Sequence, residues 1–269
     1  MIALNEIIRQ YPEELKKPEF YDPMVKEYLH HHMLRTLFTN KSASRISFIG
    51  GTALRYFYNL KRFSEDIDLD CFGLLKTDSL KMTDHLLGEI KALGFDAEIE
   101  DKDKFKRLKA FRRVFVFPEL KYKMGLSQQK EAKFFIKVEA EALNFDYKPD
   151  IKTINNFGLT FPVRTMPLNI LFSSKIAACL NRKKDRDFYD VVFLINFAKP
   201  DFGFLAKKCG IDSADQLKHS LLNAASERNL KTRKTFDCEH MLFRKNDVEM
   251  IRSFPEYIAN FDFKKFDDE

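Results

Sequence analysis

The segment that most restricts this chain runs from Gly50-Gly51-Thr52 to Asp66-Ile67-Asp68. Just upstream, Arg45-Ile46-Ser47-Phe48-Ile49 is a short β-rich run that ends at the glycine pair, and Thr52-Ala53-Leu54-Arg55-Tyr56-Phe57-Tyr58 then has helical character. The spacing predicts strand, turn and helix in immediate succession. Gly50 and Gly51 let the backbone bend and approach phosphate oxygens with no Cβ in the way. Thr52 offers a hydroxyl and an amide at a helix N-terminus, which favours anions. Beyond the helix, Asp66-Ile67-Asp68-Leu69-Asp70-Cys71-Phe72 alternates acid with apolar residues, the period-two pattern of a strand with one polar face. On such a strand Asp66 and Asp68 project to the same side with their Cα atoms about 6 to 7 Å apart. That separation suits a pair of divalent cations ~4 Å apart, which take oxygen ligands and need the counter-charge that carboxylates bring.

Each piece alone is commonplace: a glycine pair before a helix is an ordinary tight turn, and an acid-apolar-acid strand is an ordinary solvated sheet face. The order in which they occur is what carries chemistry. A turn that can approach a triphosphate, followed by two carboxylates that can hold a cation against it, is what nucleotidyl transfer requires.

The same reading extends along the chain. Leu4, Ile7, Ile8, Val25, Tyr28, Leu29, Leu34 and Leu37 recur at three- and four-residue spacing and predict a helical preface. A helix is expected from Ser79 to Leu93, then strands near Ala97 to Glu100, Ala110 to Phe117 and Ala132 to Leu143, giving a mixed or mostly antiparallel sheet. Turn formers concentrate between Asn155 and Pro167, and the pattern beyond is helical, which places a domain boundary near Met166. The expected division is a catalytic domain over 1–165 with its helical preface, and a helical C-terminal domain over 166–269 that completes the site, the catalytic cleft lying between the two.

Phe48-Ile49-Gly50-Gly51-Thr52-Ala53-Leu54, followed by Arg62-Phe63-Ser64-Glu65-Asp66-Ile67-Asp68-Leu69, resembles the signature of the AbiEii/AbiGii toxin-type nucleotidyltransferases of the polymerase-β-like superfamily. A second block resembles the family too: Ser174 to Arg182 reads as a helix with Lys175, Ala178 and Arg182 on one stripe, and Arg186-Asp187-Phe188-Tyr189-Asp190 follows it. The resemblance covers about Ile46 to Leu194. It implies an α/β (α+β) polymerase-β-like domain with a mixed sheet and a helical C-terminal domain, and Mg²⁺ or Mn²⁺ held by Asp66, Asp68 and Glu139. Glu139 is favoured over Glu141 by the family's basic-apolar-acidic strand, here Lys137-Val138-Glu139, with Lys137 beside it for charge balance or phosphate contact. Read without the family, Lys137, Glu139 and Glu141 are equally a charged strand face, and Asp187 and Asp190 are first-turn acids of a helix. The resemblance moves Lys175 and Asp187 into the catalytic set, with Asp187 orienting either the acceptor hydroxyl or Lys175, and leaves Arg182 and Asp190 as supporting residues. Asp70, an additional acid on the catalytic face, is expected to be a spectator. By resemblance, the nucleotide-binding set is Gly50, Gly51, Thr52 and Lys137, the substrate an NTP, the acceptor the tRNA end, and the context a toxin-antitoxin or phage-defence pair with a cognate antitoxin.

Other features bound this reading. The formal charge of +6 is a mild positive excess compatible with a polyanion partner. The basic run Lys102 to Arg113 serves as well for an RNA grip as for a charged hairpin. His30-His31-His32 points in three directions on a helix, so a solvated helix is expected there, not a metal site. Four cysteines with no metal-type spacing predict reduced thiols, and no apolar run reaches the ~18 residues of a membrane span, so a cytoplasmic protein is expected. Two other functions stay open: transfer of a nucleotide to a small molecule of the antibiotic type, and a non-catalytic nucleotide- or RNA-binding module.

Overall fold

The computed structural model describes residues 1–100 and 111–267. The chain divides into two compact units, one formed by Met1–Asn59 and Phe63–Met166, the other by Leu60–Arg62 and Pro167–Glu269.

In the first unit, helices α1 (Leu4–Ile8) and α2 (Tyr21–Thr39) precede strand β1 (Ile46–Ile49), helix α3 (Gly50–Tyr58) and strand β2 (Ile67–Cys71). Then come α4 (Lys76–Ala92), β3 (Glu98–Glu100), β4 (Phe111–Val116), α5 (Leu120–Lys123), β5 (Phe135–Glu141), β6 (Asp150–Asn156) and β7 (Leu159–Thr165). The strands form one seven-stranded mixed sheet in the order β3-β4-β5-β2-β1-β7-β6. β2 lies at its middle, antiparallel to β1 and parallel to β5. Alternation sets the two faces: Ile67 and Leu69 of β2 and Ile136, Val138 and Ala140 of β5 are buried, while Asp68, Lys137 and Glu139 take the intervening positions.

Two expectations change in this unit. The histidines of α2 do not lie on a solvated face: His30 and His31 are buried. Apolar residues surround this helix instead of forming one stripe, so polar side chains are enclosed with them and must find partners. His31 Nδ1 donates to Glu27 O at 2.6 Å and His30 Nε2 donates to Glu65 O at 3.1 Å. Burial pushes the His30 ring down to about 3 and the His31 ring down to about 4, so both are neutral at pH 7. The turn-rich stretch from Asn155 belongs to a β-hairpin, with Asn156 opposite Leu159 and Phe157-Gly158 between them. Both central residues have positive φ, 52° and 72°, the geometry of a two-residue type I′ turn. Phe157 holds this conformation with its ring packed against Tyr28 at 5.4 Å and His31 at 4.8 Å.

The second unit is helical: α6 (Leu168–Arg182), α7 (Asp185–Leu194), α8 (Phe202–Cys209), α9 (Ala214–Glu227), α10 (Val248–Arg252) and α11 (Phe254–Asn260). Its core includes Leu171, Phe172, Ile176, Phe188, Val191, Leu205, Leu217 and Phe254, all with no exposed surface. The short segment Leu60–Arg62 is built into it, through the Phe243 amide donating to Lys61 O at 3.2 Å and a β-bridge between Arg62 and Leu242. Among the described residues no helix is long and apolar enough to cross a membrane.

Candidate active site

β1 delivers the chain to Gly50, whose φ of +82° is open to glycine and disfavoured for residues with a Cβ. A Cβ there would meet Asp68 Oδ2 at 2.1 Å, so the missing side chain is the space the Asp68 carboxylate occupies. The pairing of β1 with β2 sets this up, since Ile49 is the register partner of Asp68. Thr52, buried in the first turn of α3, donates its hydroxyl to Asp66 O at 2.5 Å. That hydroxyl is therefore committed to the backbone of the carboxylate motif; what Thr52 offers an anion is its amide.

On the other side of β2, Asp68 is in register with Glu139 of β5. The carboxylates neighbour basic side chains: Lys137 Nζ lies 3.4 Å from Asp66 Oδ2, and Arg112 of β4, the register partner of Glu139, contacts Glu139 Oε1 at 2.6 Å. Among the described residues, no group of three or more histidine, cysteine, aspartate or glutamate side chains is gathered so as to hold a metal ion. Asp68 and Glu139 are register partners, with Asp66 and Glu139 each drawn toward a cation. Asp66 stands just ahead of β2, which begins at Ile67, and not on the strand as expected; the donor chemistry of Asp66 and Asp68, two partly exposed carboxylates two residues apart, nonetheless fits a hard divalent ion. Glu139 could join them on release from Arg112.

Asp70 has a separate task. It is buried, accepts from the Leu143 amide at 2.9 Å and from the Tyr147 hydroxyl at 2.7 Å, and so anchors the chain that leaves β5. Of the basic run, Lys102, Lys104, Lys106, Arg107 and Lys109 lie outside the described residues; Arg113 donates to Asp84 at 2.5 Å and to the Thr83 hydroxyl at 2.8 Å.

In the helical unit, the first turns of α7 carry three aspartates, Asp185, Asp187 and Asp190, none with exposed surface. Buried carboxylates require charge partners and hydrogen bonds, and each finds its own. Asp185 accepts from Arg228 Nε at 2.9 Å and from the Asp237 amide at 2.7 Å. Asp187 accepts from Arg182 Nε at 2.8 Å and Nη2 at 2.7 Å, one bond on each oxygen. Asp190 accepts from Arg62 Nε and Nη2, both at 2.8 Å, and Lys175 Nζ lies 3.0 Å from its Oδ2. Burial alone would raise the Asp190 carboxyl, but Arg62 and then Lys175 outweigh it and hold it near 2. The carboxylate that orients Lys175 is thus Asp190, while Asp187 orients Arg182. The signal in the sequence was Arg62, which stands four residues ahead of Asp66 in the resemblance motif; nothing local tells that its partner lies 128 positions on.

Comparison with known proteins gives a family and a fold. A family model described as "Nucleotidyl transferase AbiEii toxin, Type IV TA system" matches residues 32–262. Similar solved structures include MenT4, a nucleotidyltransferase toxin from Mycobacterium tuberculosis H37Rv, at 16% identity and a TM-score of 0.55, covering 99% of this chain and 93% of that one. JHP933 from Helicobacter pylori has a TM-score of 0.51 at 18% identity, covering 91% and 93%. A putative nucleotidyltransferase from H. pylori has the same score and identity, covering 91% and 96%. At these identities the structures speak to the fold. No curated protein matches the chain.

Proposed function

The chain belongs to the AbiEii nucleotidyltransferase toxin family of type IV toxin-antitoxin systems, and from that premise we propose that it transfers a nucleoside monophosphate from an NTP to a hydroxyl at the tRNA acceptor end, with Mg²⁺ bound by Asp66 and Asp68. The observation that carries this reading is the fit of the Asp68 carboxylate into the space left by Gly50. It brings the turn that can approach phosphate and the carboxylate that can hold its counter-ion to one point.

In this reading the backbone at Gly50, Gly51 and Thr52 receives the triphosphate, and the Thr52 hydroxyl holds the backbone at Asp66. A bound divalent cation would supply Lewis-acid polarisation of the α-phosphate and charge neutralisation of the leaving group. The acceptor oxygen forms a bond to the α-phosphorus, the bond from that phosphorus to the β-phosphate bridging oxygen breaks, and pyrophosphate departs. The acceptor hydroxyl gives its proton to a carboxylate among Asp66, Asp68 and Glu139. Lys137, 3.4 Å from Asp66, balances charge beside the phosphates. Lys175 meets charge that develops on the phosphate oxygens in the transition state, and Asp187 acts through the guanidinium of Arg182. Glu139 is the third carboxylate, available once Arg112 yields. Cell toxicity, a role in phage defence and control by a cognate antitoxin are the expected biological setting.

The test is incorporation of label from each of the four NTPs into total RNA in the presence of Mg²⁺. Labelled tRNA is expected with the wild-type protein and background signal with Asp68→Ala. No incorporation into any RNA with any NTP would overturn the reading, and label that appears only in a low-molecular-weight fraction would redirect it to a small-molecule acceptor.

A further inference from the structure

We propose that Arg62 is a positioning residue for nucleotidyl transfer: by taking both oxygens of Asp190 it keeps that carboxylate from neutralising Lys175, whose ammonium is held in place and left charged for a phosphate. The inference rests on the nucleotidyltransferase reading above and adds to it a residue whose side chain belongs to neither the carboxylate strand nor the lysine helix.

The geometry separates this from an ordinary buried ion pair. Asp190 Oδ1 accepts from Arg62 Nε, while Oδ2 accepts from Arg62 Nη2 and is also 3.0 Å from Lys175 Nζ. One carboxylate charge is thus divided, with the planar fork of the arginine occupying both oxygens and the lysine sharing one. The side chains are 1% exposed for Arg62, 7% for Lys175 and 0% for Asp190. A buried lysine facing a single carboxylate would form a neutral pair with little left to offer a polyanion. Lys175 shares its carboxylate with an arginine that holds both of its oxygens, which leaves the ammonium positioned but only partly balanced by Asp190. The neighbouring carboxylate cannot take over this role, since both oxygens of Asp187 accept from Arg182. A purely structural anchor for the Leu60–Arg62 segment would have needed one cation on Asp190, not two.

The experiment measures equilibrium binding of ATP, GTP, CTP and UTP in the absence of acceptor, alongside thermal melting of each variant. Lys175→Met is expected to weaken the preferred NTP by at least about tenfold, an effect of ~1.4 kcal/mol. Arg62→Met, which hands Asp190 to Lys175 alone, is expected to weaken it by about the same factor. Arg62→Met/Asp190→Asn removes the competing carboxylate together with its guardian, so binding should return to within roughly threefold of wild type. A strut would gain nothing from the second substitution. Arg62→Met that binds like wild type, or a folded double variant no better than the single one, overturns the inference. Should Arg62→Met fail to melt cooperatively, Arg62→Lys decides: a lysine cannot hold both oxygens of Asp190, so weakened binding in a folded protein that Asp190→Asn restores supports the role, and binding like wild type overturns it. Lys175→Met that binds every NTP like wild type would instead sink the underlying reading, an outcome distinct from the failure of the rescue.

Discussion

Gly50 and Gly158 both have a positive φ, +82° and +72°, and differ in what surrounds them, which makes them a useful pair. A methyl group at Gly158 would meet nothing within 4 Å. Gly158→Ala should therefore cost only the backbone penalty, about 1 kcal/mol, with nucleotidyl transfer unchanged. Gly50→Ala adds a collision with the Oδ2, Cβ and Cγ atoms of Asp68, at 2.1 to 2.9 Å. The carboxylate must leave its place, so activity should fall by about a hundredfold while melting shows a loss of roughly 1 to 3 kcal/mol. Equal activity in the two variants would sink the claim that Gly50 makes room for Asp68. At this scale the sequence was most legible, because glycine and aspartate are the residues whose chemistry restricts their surroundings most. It was least legible for Thr52, whose hydroxyl looks the same in sequence whether it faces a phosphate or, as here, the carbonyl of Asp66.

Strands whose two faces differ in polarity announced themselves, and elements without that contrast did not. β2 and β5 alternate acid or base with apolar residues, so the strands and their polar faces could be read directly, though not their ends: β5 is Phe135–Glu141 where Ala132 to Leu143 was expected. β6 lies at the sheet edge, and of its residues only Ile154 is buried; with so little core-facing surface it carries no clear period, and the Asn, Gly and Pro residues around it read as loop. α2 misled for the opposite reason: it is enclosed on several sides, so its polar residues mark internal hydrogen bonds and not a solvated face. The start of α7 shows how such an element can be tested. Asp185 takes no part in the proposed chemistry, yet it is buried and holds Arg228 and the Asp237 amide. Asp185→Asn should destabilise the helical unit by about 3 kcal/mol, since it removes the buried counter-charge that Arg228 and Arg233 share and leaves Arg228 only Asp237 at 3.7 Å. NTP affinity in the folded variant should be unchanged. A melting curve unchanged by the substitution would show that these contacts add nothing to stability.

Pairings that join distant parts of the chain set how the two units respond to acid, and these were invisible in sequence. The first unit buries His30 and His31, with pKa values lowered to about 3 and about 4 from an ordinary 6.5. A folded-state pKa depressed in this way stabilises the protein fully above pH 6.5, and that stability drains as pH falls, because the unfolded chain binds protons the folded one refuses. Each histidine should contribute a slope of ~1.4 kcal/mol per pH unit down to its folded pKa. The second unit depends instead on Asp190, lowered to about 2 from 3.8, whose contribution is intact above pH 3.8 and is lost as pH falls through 2. Between pH 6 and pH 4 the first unit should therefore weaken while this part of the second is untouched. Hydrogen exchange separates them: protection should fall first at amides of α2 and the sheet, with α6 and α7 holding until lower pH. His30→Gln, which can still donate to Glu65 O, should flatten the slope of the first unit by roughly a third, since His32, pushed down to about 4 by burial, shares that slope with His30 and His31. Simultaneous loss of protection in both units across that range, in wild type and His30→Gln alike, would mean that the buried imidazoles do not govern the acid response.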